Sequence, residues 1–381
     1  MTRKEFIKVS SLLGLSLPFQ NLLTACRPGE INENFKGKVI IIGAGAGGLT
    51  AGYLLQQIGA DFEILEASNH YGGRMKQTID FADFPVPLGA EWLHVERGVF
   101  DEIVNDSNIR VEVETTPYDL DNDKGLFEGE EITVKEAGFT IDQKFINSTW
   151  FDFYEQYVVP SVKDKIRYQT VVKSIDYTGD QVLVQTDDQD FTADKVVISV
   201  PVKMLQRGMI AFSPALPEKK AEAIQEVTVW DGCKAFIEFS EKFYPTFIGF
   251  DIQPESDGEK LYYDAAYGQD SERHILGLFA VGTGTLPYVE LSDQELIDYM
   301  LTELDELYDN RASASYMKHT FQTWNKEPFI NGAYITSHEN WRRVRRLGDS
   351  VADKLYFAGT SYTNGLDWGS VHTPARSALQ A

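Results

Sequence analysis

Cysteine and histidine are scarce in this 381-residue chain, and their scarcity excludes several kinds of site. The two cysteines, Cys26 and Cys233, cannot form a thiolate cluster. The six histidines are scattered without the spacing of metal ligands, so we expect no metal site. No Ser-His-Asp hydrolase signature is present either. Metal, thiolate and serine-hydrolase chemistry are therefore not expected.

Basic residues are also few compared with acidic ones. Lys and Arg total 35 against 58 Asp and Glu, which gives a formal net charge of −23. This charge would repel a phosphate backbone, so nucleic acid is not an expected partner, whereas a cationic small molecule would be attracted. The acidity can also serve solubility alone. With 43% hydrophobic and 12% aromatic residues and no internal repeat, the chain suits two ordinary globular domains.

The first 26 residues differ in composition from the rest of the chain. A basic start is followed by an apolar stretch over residues 12–17 and a small-residue ending at Cys26. This pattern predicts a secretory signal peptide, and the ending Leu-Thr-Ala-Cys resembles a bacterial lipoprotein box. We therefore expect lipidation at Cys26, a tether over residues 27–37 and membrane anchoring in the bacterial cell envelope. The alternative for residues 1–26 is a buried amphipathic helix.

A strand, a glycine-rich turn, a helix and a second strand follow the tether. Residues 38–42 are an apolar run of strand length, and the next six residues read Gly-Ala-Gly-Ala-Gly-Gly. With Glu66 after the second strand, this order predicts a βαβ unit that binds a dinucleotide. Gly43 would allow a tight turn, Gly45 would let a pyrophosphate approach, and Gly48 would let helix and strand pack. Glu66 would accept hydrogen bonds from the ribose; a chance glycine turn is the alternative.

Beyond this unit, Glu66-Ala67 is followed by Gly72-Gly73-Arg74. This pattern resembles the flavin-containing amine oxidase family, which includes monoamine oxidases, polyamine oxidases and histone demethylases. The resemblance implies that the dinucleotide is FAD and that Gly73 and Arg74 contact its pyrophosphate. A planar guanidinium suits that contact well.

Several positions depart from the family pattern within the implied cofactor site, among them Thr360-Ser361 in place of an acidic residue and Thr373-Pro374 in place of a Gly-Ala pair. Ser68 and His70 stand where the family usually has arginines, which would weaken diphosphate binding. Ala333 stands where some members have a cysteine that bonds to the flavin. FAD is therefore expected to be bound non-covalently.

Matches to the family continue to the end of the chain. They include residues 88–94, 197–201 and 356–360, and the start of the last helix. The resemblance implies that a set of residues along the chain contacts FAD. These implied cofactor-binding residues are Gly43, Ala44, Gly45, Ala46, Gly47, Gly48, Glu66, Ala67, Gly73, Arg74, Gly89, Ala90, Glu91, Trp92, Val172, Gly359, Thr360, Val371 and His372.

Lys234 is the residue to which the resemblance assigns catalysis. In the family, a lysine at the start of this strand holds a water against the flavin N5 atom. From alternation alone, Lys234 shares a strand face with Phe236 and Glu238, and a solvated face would be the ordinary interpretation.

An aromatic cage for the substrate is the other element that the resemblance implies. Tyr334 would form one wall, and Trp368 the other, because Ser370 occupies the family's usual tyrosine position. His94 is a further implied substrate contact. Aromatic faces attract and orient amines, although core or interface packing is the alternative for these rings.

The expected fold is α/β, with a Rossmann-like FAD-binding domain of the glutathione-reductase type interleaved with an α+β substrate domain. The FAD-binding domain would comprise residues 38–94, 169–225 and 340–381, and the substrate domain residues 95–168 and 226–339. Three strand patterns at 171–175, 182–186 and 195–200 are expected to join the cofactor sheet. Thr373-Pro374 predicts the N-cap and first turn of the last helix.

The expected activity is FAD-dependent oxidation of an amine C–N bond to an imine, with O2 as acceptor and H2O2 released. The segment between His94 and Val172 is shorter than is typical of the family, so the pocket should be more open. Two alternatives remain: a desaturase or dehydrogenase acting on a non-amine substrate, and a lipoprotein that binds FAD without turnover.

Overall fold

The computed structural model describes residues 35–250, 257–335, 341–363 and 369–381. The predicted signal peptide, Cys26, most of the tether and Trp368 lie outside these residues. The strands, in chain order, are β1 Lys38–Ile42, β2 Asp61–Leu65, β3 Gln77–Thr78, β4 Val86–Pro87, β5 Thr115–Pro117, β6 Lys124–Phe127, β7 Glu130–Thr133, β8 Gln143–Phe145, β9 Ile166–Arg167, β10 Val172–Asp176, β11 Val182–Thr186, β12 Asp190–Ala193, β13 Lys195–Ile198, β14 Ala211–Ser213, β15 Gly232–Phe239, β16 Phe247–Gly249, β17 Gly258–Asp264, β18 His274–Gly282, β19 Tyr316–Thr323 and β20 Leu355–Phe357.

The α-helices are α1 Ala46–Gln57, α2 Gly98–Val104, α3 Val134–Ala137, α4 Trp150–Tyr157, α5 Val159–Val162, α6 Val202–Gln206, α7 Glu218–Glu226, α8 Asp293–Leu307, α9 Arg311–Ser315, α10 Trp341–Gly348 and α11 His372–Gln380. Short 3-10 turns lie at Gly73–Met75, Lys163–Lys165, Thr283–Thr285 and Trp324–Lys326. Within the described ranges, no helix is both long and apolar enough to cross a bilayer.

A five-stranded parallel sheet, in the order β20-β13-β1-β2-β9, forms the centre of the first domain. Its middle strand β1 is apolar because both faces are covered. Ile41 packs with helices α1, α2, α4 and α11 on one face. Ile40 packs on the other face with β10, β11 and helices α6, α7 and α10. This is the doubly covered sheet that the continuous apolar run predicts.

Only one of the three strand patterns predicted to join this sheet does so. Strand β13 pairs with β1 and β20, whereas β10 and β11 form a separate four-stranded sheet in the order β12-β11-β10-β14. The side chains of β10 and β11 alternate between buried and accessible positions, while Val196, Val197 and Ile198 of β13 are all buried. A strand with one accessible face cannot occupy the middle of a doubly covered sheet.

A seven-stranded sheet, in the order β19-β15-β18-β17-β16-β6-β7, forms the centre of the second domain. It is antiparallel except where β16 pairs with β6. Strand β15 is buried along its whole length. Helices α8 and α9 cover one face of the sheet, and the opposite face turns toward the first domain.

Two details of the domain organisation differ from the sequence prediction. Only the middle of the segment 95–168 belongs to the second sheet, because β9 pairs with β2 and helices α2, α4 and α5 pack with the first domain's core. The aromatic side chains of α4 therefore fill that core. The last helix begins at His372 with Val371 as its N-cap, so Thr373 lies inside the first turn instead of capping it.

Candidate active site

The glycine turn after β1 has the geometry that a dinucleotide requires. Gly43 has a φ of +101°, which a side chain rarely tolerates. A methyl group on Gly48 would lie 1.9 Å from the carbonyl oxygen of Gly43, so helix α1 can approach the turn only with glycine there. A methyl group on Gly45, in contrast, would contact nothing within 4 Å. The open space at Gly45 is therefore room for a ligand against the backbone.

Helix α1 directs free N–H groups toward that space. Gly45 is its N-cap, no side chain caps it, and its first turn holds no acidic residue. The segment of Gly72 and Gly73 forms the opposite lip, since the Gly72 N–H donates to Ala44 O at 2.9 Å. An uncapped helix N-terminus beside an open backbone is a favourable site for a phosphate group.

Glu66, at the end of β2, is held by two segments. Its carboxylate accepts from the Ala44 N–H at 2.6 Å and from the N–H and hydroxyl of Ser68, both at 2.8 Å. Ser68, a departure from the family pattern, thus fixes the orientation of Glu66. Ala67 follows as a half-buried residue. The Thr170 N–H donates to Glu66 O at 2.8 Å. Val172, two residues further along the chain, therefore lies near the end of β2.

Arg74 projects into the cleft between the domains. Its guanidinium donates to the carbonyl oxygen of Ala333 and to Thr360 Oγ1, the latter at 2.8 Å. Among the described residues no carboxylate forms an ion pair with it, and burial lowers the pKa of Arg74 to about 10. A buried cation without an anion is costly unless a ligand supplies the anion. Together with the space at Gly45, Arg74 fits the pyrophosphate of FAD.

The end of β20 and the last helix complete this cleft. Gly359 follows β20, and its N–H donates to Ser377 Oγ of α11 at 3.3 Å. Helix α1 packs so closely here that a methyl group on Gly47 would lie 2.9 Å from Ala358 O. Val371 and His372, at the start of α11, are buried. The predicted cofactor residues from both ends of the chain therefore do meet in space.

A loop over residues 87–91 runs from this cleft to the second domain. Gly89 packs so tightly that a methyl group there would lie 1.8 Å from Arg74 O and 2.9 Å from the ring of Trp324. The Ala90 N–H donates to Arg74 O at 3.0 Å. Gly89 and Ala90 thus tie Arg74 to Glu91, the next residue along the loop.

Lys234 lies under this loop in a buried cluster of charges with Glu91 and Lys144. The three residues are 3%, 6% and 2% exposed, respectively. Lys234 Nζ donates to Glu91 Oε2, to Pro87 O at 3.0 Å and to Gly89 O at 3.3 Å. All three ammonium hydrogens therefore have acceptors. To hold a water against a flavin, Lys234 would have to release one of them, and its catalytic role stays a prediction.

Glu91 joins the two lysines. Its second carboxylate oxygen lies 3.0 Å from Lys144 Nζ, which also donates to Ala265 O at 2.8 Å and to Asp264 O at 3.2 Å. Tyr263 donates its hydroxyl hydrogen to Glu91. Burial lowers the pKa of Lys234, and Glu91 opposes that effect. The two ammonium groups outweigh burial at Glu91, so the pKa of its carboxyl is lowered.

Lys144 and Tyr263 were not candidates from the sequence. Lys144 is the middle residue of the short strand β8, and its alternation with Gln143 and Phe145 does not distinguish a buried lysine from an exposed one. Its partners are 53 and about 120 positions away along the chain. No local pattern could have linked them.

Aromatic rings line the second domain's side of the cleft. Trp92 packs against Tyr263 at a centroid distance of 4.8 Å and against Phe279 at 5.8 Å. Tyr334 packs against Trp230 at 5.7 Å, and a methyl group on Gly369 would lie 3.4 Å from the Tyr334 ring. The predicted wall at Tyr334 therefore borders the segment that follows Trp368, which itself lies outside the described residues.

Glu259 lies on the same sheet face as these rings. Strand register places Lys234, Phe279 and Leu261 side by side, and the next row contains Gly232, Val281 and Glu259. Side chains in register on neighbouring strands share a face, and alternate rows are roughly 7 Å apart. Glu259 was also missed from the sequence, because both faces of β17 carry polar residues.

The Glu259 side chain is accessible, and neighbouring groups nevertheless shift the pKa of its carboxyl. Burial raises its pKa, nearby His94 opposes this, and Asp142 adds to it. In turn, burial and then Glu259 raise the pKa of Tyr334. No hydrogen-bond donor to the Glu259 carboxylate is found among the described residues. His94 is anchored by its Nδ1 contact of 2.6 Å with Asp142, so His94, Tyr334 and Glu259 belong to one region.

No group of His, Cys, Asp and Glu side chains suited to a metal ion occurs in the part of the chain that the structure describes. Cys233 is buried, and burial raises the pKa of its thiol to about 12. A thiol of that kind is inert as a nucleophile.

Comparison with known proteins identifies the family. A family profile described as "Flavin containing amine oxidoreductase" matches residues 152–381, which is more than half of the chain. The chain belongs to this family. A second profile, "NAD(P)-binding Rossmann-like domain", matches residues 41–106, where the glycine turn and Glu66 lie.

Individual relatives are distant. Probable polyamine oxidase 4 of Arabidopsis thaliana is 24% identical over 433 residues, covering 89% of this chain and 85% of the relative. Lysine-specific histone demethylase 1B of Mus musculus is 28% identical over 201 residues, covering 51% of this chain and 24% of the demethylase. The chain thus spans about a quarter of the length of that demethylase.

Solved structures of putrescine oxidase have a similar fold. The wild-type enzyme bound to putrescine matches with a TM-score of 0.69 and 15% identity, covering 91% of this chain and 98% of that one. At this identity the likeness shows the fold alone. The predicted family and α/β fold class are confirmed, and the family is one of flavin-containing amine oxidoreductases.

Proposed function

We propose that this amine oxidoreductase oxidises the C–N bond of a small amine to an imine and passes the electrons to O2. The substrate's α-carbon would give up a hydride equivalent, and the nitrogen of a substrate that arrives as a cation would lose two protons. Non-covalently bound FAD, held at Gly45 and Arg74, would supply the electron acceptor. Water would then hydrolyse the imine to a carbonyl compound, with release of ammonia from a primary amine or of an amine from a substituted one, and O2 would take up two electrons and two protons to become H2O2. FAD supplies the redox chemistry, and the protein supplies binding and orientation.

The observation that carries this proposal is the accessible carboxylate of Glu259 beside an aromatic wall. A cationic amine would find at Glu259 a carboxylate that has no hydrogen-bonded partner among the described residues, and aromatic faces at Trp92 and Tyr334. The net charge of −23 favours the approach of such a substrate. Relatives named polyamine oxidase and a structural neighbour bound to putrescine support the same substrate class.

The visible spectrum of the purified protein tests this proposal. The protein should be yellow, and anaerobic addition of amines such as putrescine or benzylamine should bleach the flavin bands. Admission of O2 should restore the bands and release one H2O2 for each turnover. A yellow protein bleached only by a non-amine hydride donor would contradict amine oxidation, and one that no donor bleaches would contradict turnover.

We also propose export and lipid anchoring at Cys26, on the basis of the residue pattern that precedes it. The intact protein, expressed in a bacterium, should partition with membranes and carry acyl chains on its N-terminal cysteine by mass spectrometry. The Cys26→Ser variant should lose the acyl mass and leave the membrane fraction. Wild-type protein that carries the full leader and no acyl group would contradict this expectation.

A further inference from the structure

The charge cluster of Lys144, Glu91 and Lys234 does not balance. Two buried ammonium groups share one carboxylate, and no other described carboxylate forms an ion pair with either lysine. The nearest acidic side chain along the strand, Asp264, instead binds Lys242 at 2.6 Å. The cluster therefore carries one positive charge more than its single carboxylate compensates.

This surplus charge lies close to the cofactor cleft. Lys234 Nζ donates to Gly89 O, and Gly89 packs directly on the backbone of Arg74, whose guanidinium lies at the proposed pyrophosphate position. Along this path of contacts, the loop of residues 87–91 lies between the cluster and that cleft. Because the cluster is almost fully buried, solvent and salt screen its field weakly.

We propose that Lys144, acting through Glu91 and Lys234, leaves a net positive charge beside the bound flavin and thereby raises its reduction potential. Reduction adds negative charge to the flavin ring, and a nearby fixed cation stabilises that charge more than it stabilises the oxidised form. The inference depends on FAD binding and is independent of the substrate.

Lys144 is better suited to a test than Lys234, because the two lysines hold different parts of the protein. Lys234 donates to the carbonyl groups of Pro87 and Gly89, so its removal would free the loop itself. Lys144 donates to the carbonyl groups of Asp264 and Ala265 at the end of β17. Replacing Lys144 therefore removes its charge and its contact with Glu91, and leaves the contacts of Lys234 with Pro87 and Gly89 in place.

The experiment measures the midpoint potential of bound FAD by equilibration with a reference dye. Lys144→Met should shift the potential to a more negative value than that of the wild type. Lys144→Arg, which keeps the charge, should have the wild-type potential. The matched control is Lys220→Met. Lys220 is likewise buried, at 4% exposed, and donates to backbone carbonyls, but these belong to the end of α10 and the residues after it.

Several outcomes would overturn the inference. Equal potentials for Lys144→Met and Lys220→Met would show that the charge does not reach the flavin. A shift in Lys144→Arg as large as that in Lys144→Met would show that packing is responsible. If Lys144→Met is purified without FAD, Lys144→Gln replaces it; failure of both to bind FAD would make Lys144 structural. Colourless wild-type protein would contradict FAD binding instead.

Discussion

The glycine turn after β1 and the charge cluster at β15 both lie near the cofactor cleft, but they are built differently. The turn spans six consecutive residues, and its shape follows from backbone conformation and the lack of side chains. The cluster combines Glu91, Lys144 and Lys234 from three distant segments, and its charges are stable only together. Local sequence therefore specifies the turn, whereas tertiary structure specifies the cluster.

A second carboxylate, Glu63, also lies between two cations but is less buried than Glu91. Comparing the two tests whether burial, and not charge pairing alone, makes the cluster depend on its carboxylate. Glu63, on β2, pairs with Lys38 and Arg167, and its side chain is 19% exposed and that of Arg167 is 53% exposed. Water can solvate these partners when the carboxylate is lost. In the buried cluster it cannot.

The largest effect is expected for Glu91→Gln, which leaves two buried ammonium groups without an anion. Removing one partner of a buried charge pair costs about 3–5 kcal/mol. Glu63→Gln should cost less than about 1 kcal/mol, because exposed ion pairs contribute little. Urea unfolding of both variants measures the difference. Equal losses would show that burial does not distinguish the two sites.

A smaller loss of stability is expected for Gly48→Ala, because its methyl group would overlap the carbonyl oxygen of Gly43. Overpacking of this kind costs about 3 kcal/mol. Gly45→Ala is the matched variant: its methyl group meets no protein atom within 4 Å, so the free energy of unfolding of the FAD-free protein should hardly change. Its FAD affinity should fall instead. Tight FAD binding by Gly45→Ala would contradict a pyrophosphate at this position.

Lys220 is a buried lysine whose effect on the free energy of unfolding depends on pH. Burial lowers its pKa from 10.5 to about 7, so between these values the unfolded chain binds more protons than the folded one. Stability should therefore rise with pH between about 7 and 10.5, with a slope of at most about 1.4 kcal/mol per pH unit. The rise is measured relative to Lys220→Met by urea unfolding at several pH values. Parallel pH profiles for the two proteins would refute it.

Glu259→Gln is expected to have the smallest effect on stability and to weaken selectively the binding of a cationic amine. The concentration of a cationic amine needed for half-maximal flavin reduction should rise about tenfold, which corresponds to about 1.4 kcal/mol. The flavin spectrum and the urea midpoint should not change. As a control, Glu295→Gln removes an exposed carboxylate from the N-terminus of α8, on the far side of the sheet. Equal effects of both variants on amine binding would indicate long-range charge alone.

The site shows which residues could be predicted and which could not. Gly43, Gly45 and Glu66 were predicted from spacing, and the structure brings them together with Arg74 at one cleft, as the resemblance implied. Lys144 and Glu259 were not predicted, because a buried lysine in a strand and an accessible glutamate in a strand have the same local pattern. Their surroundings come from strands far apart in the chain.

The sequence alone determined the βαβ unit, because a tight turn, a close helix approach and a doubly covered strand each require particular residues at fixed local spacing. It also determined the excess of negative charge. Only the tertiary structure decided that β10 and β11 leave the cofactor sheet, that Glu91 is shared by two lysines, and that Glu259 faces the aromatic wall. These features depend on long-range packing and on the loss of solvent around charges, which no short stretch of sequence encodes.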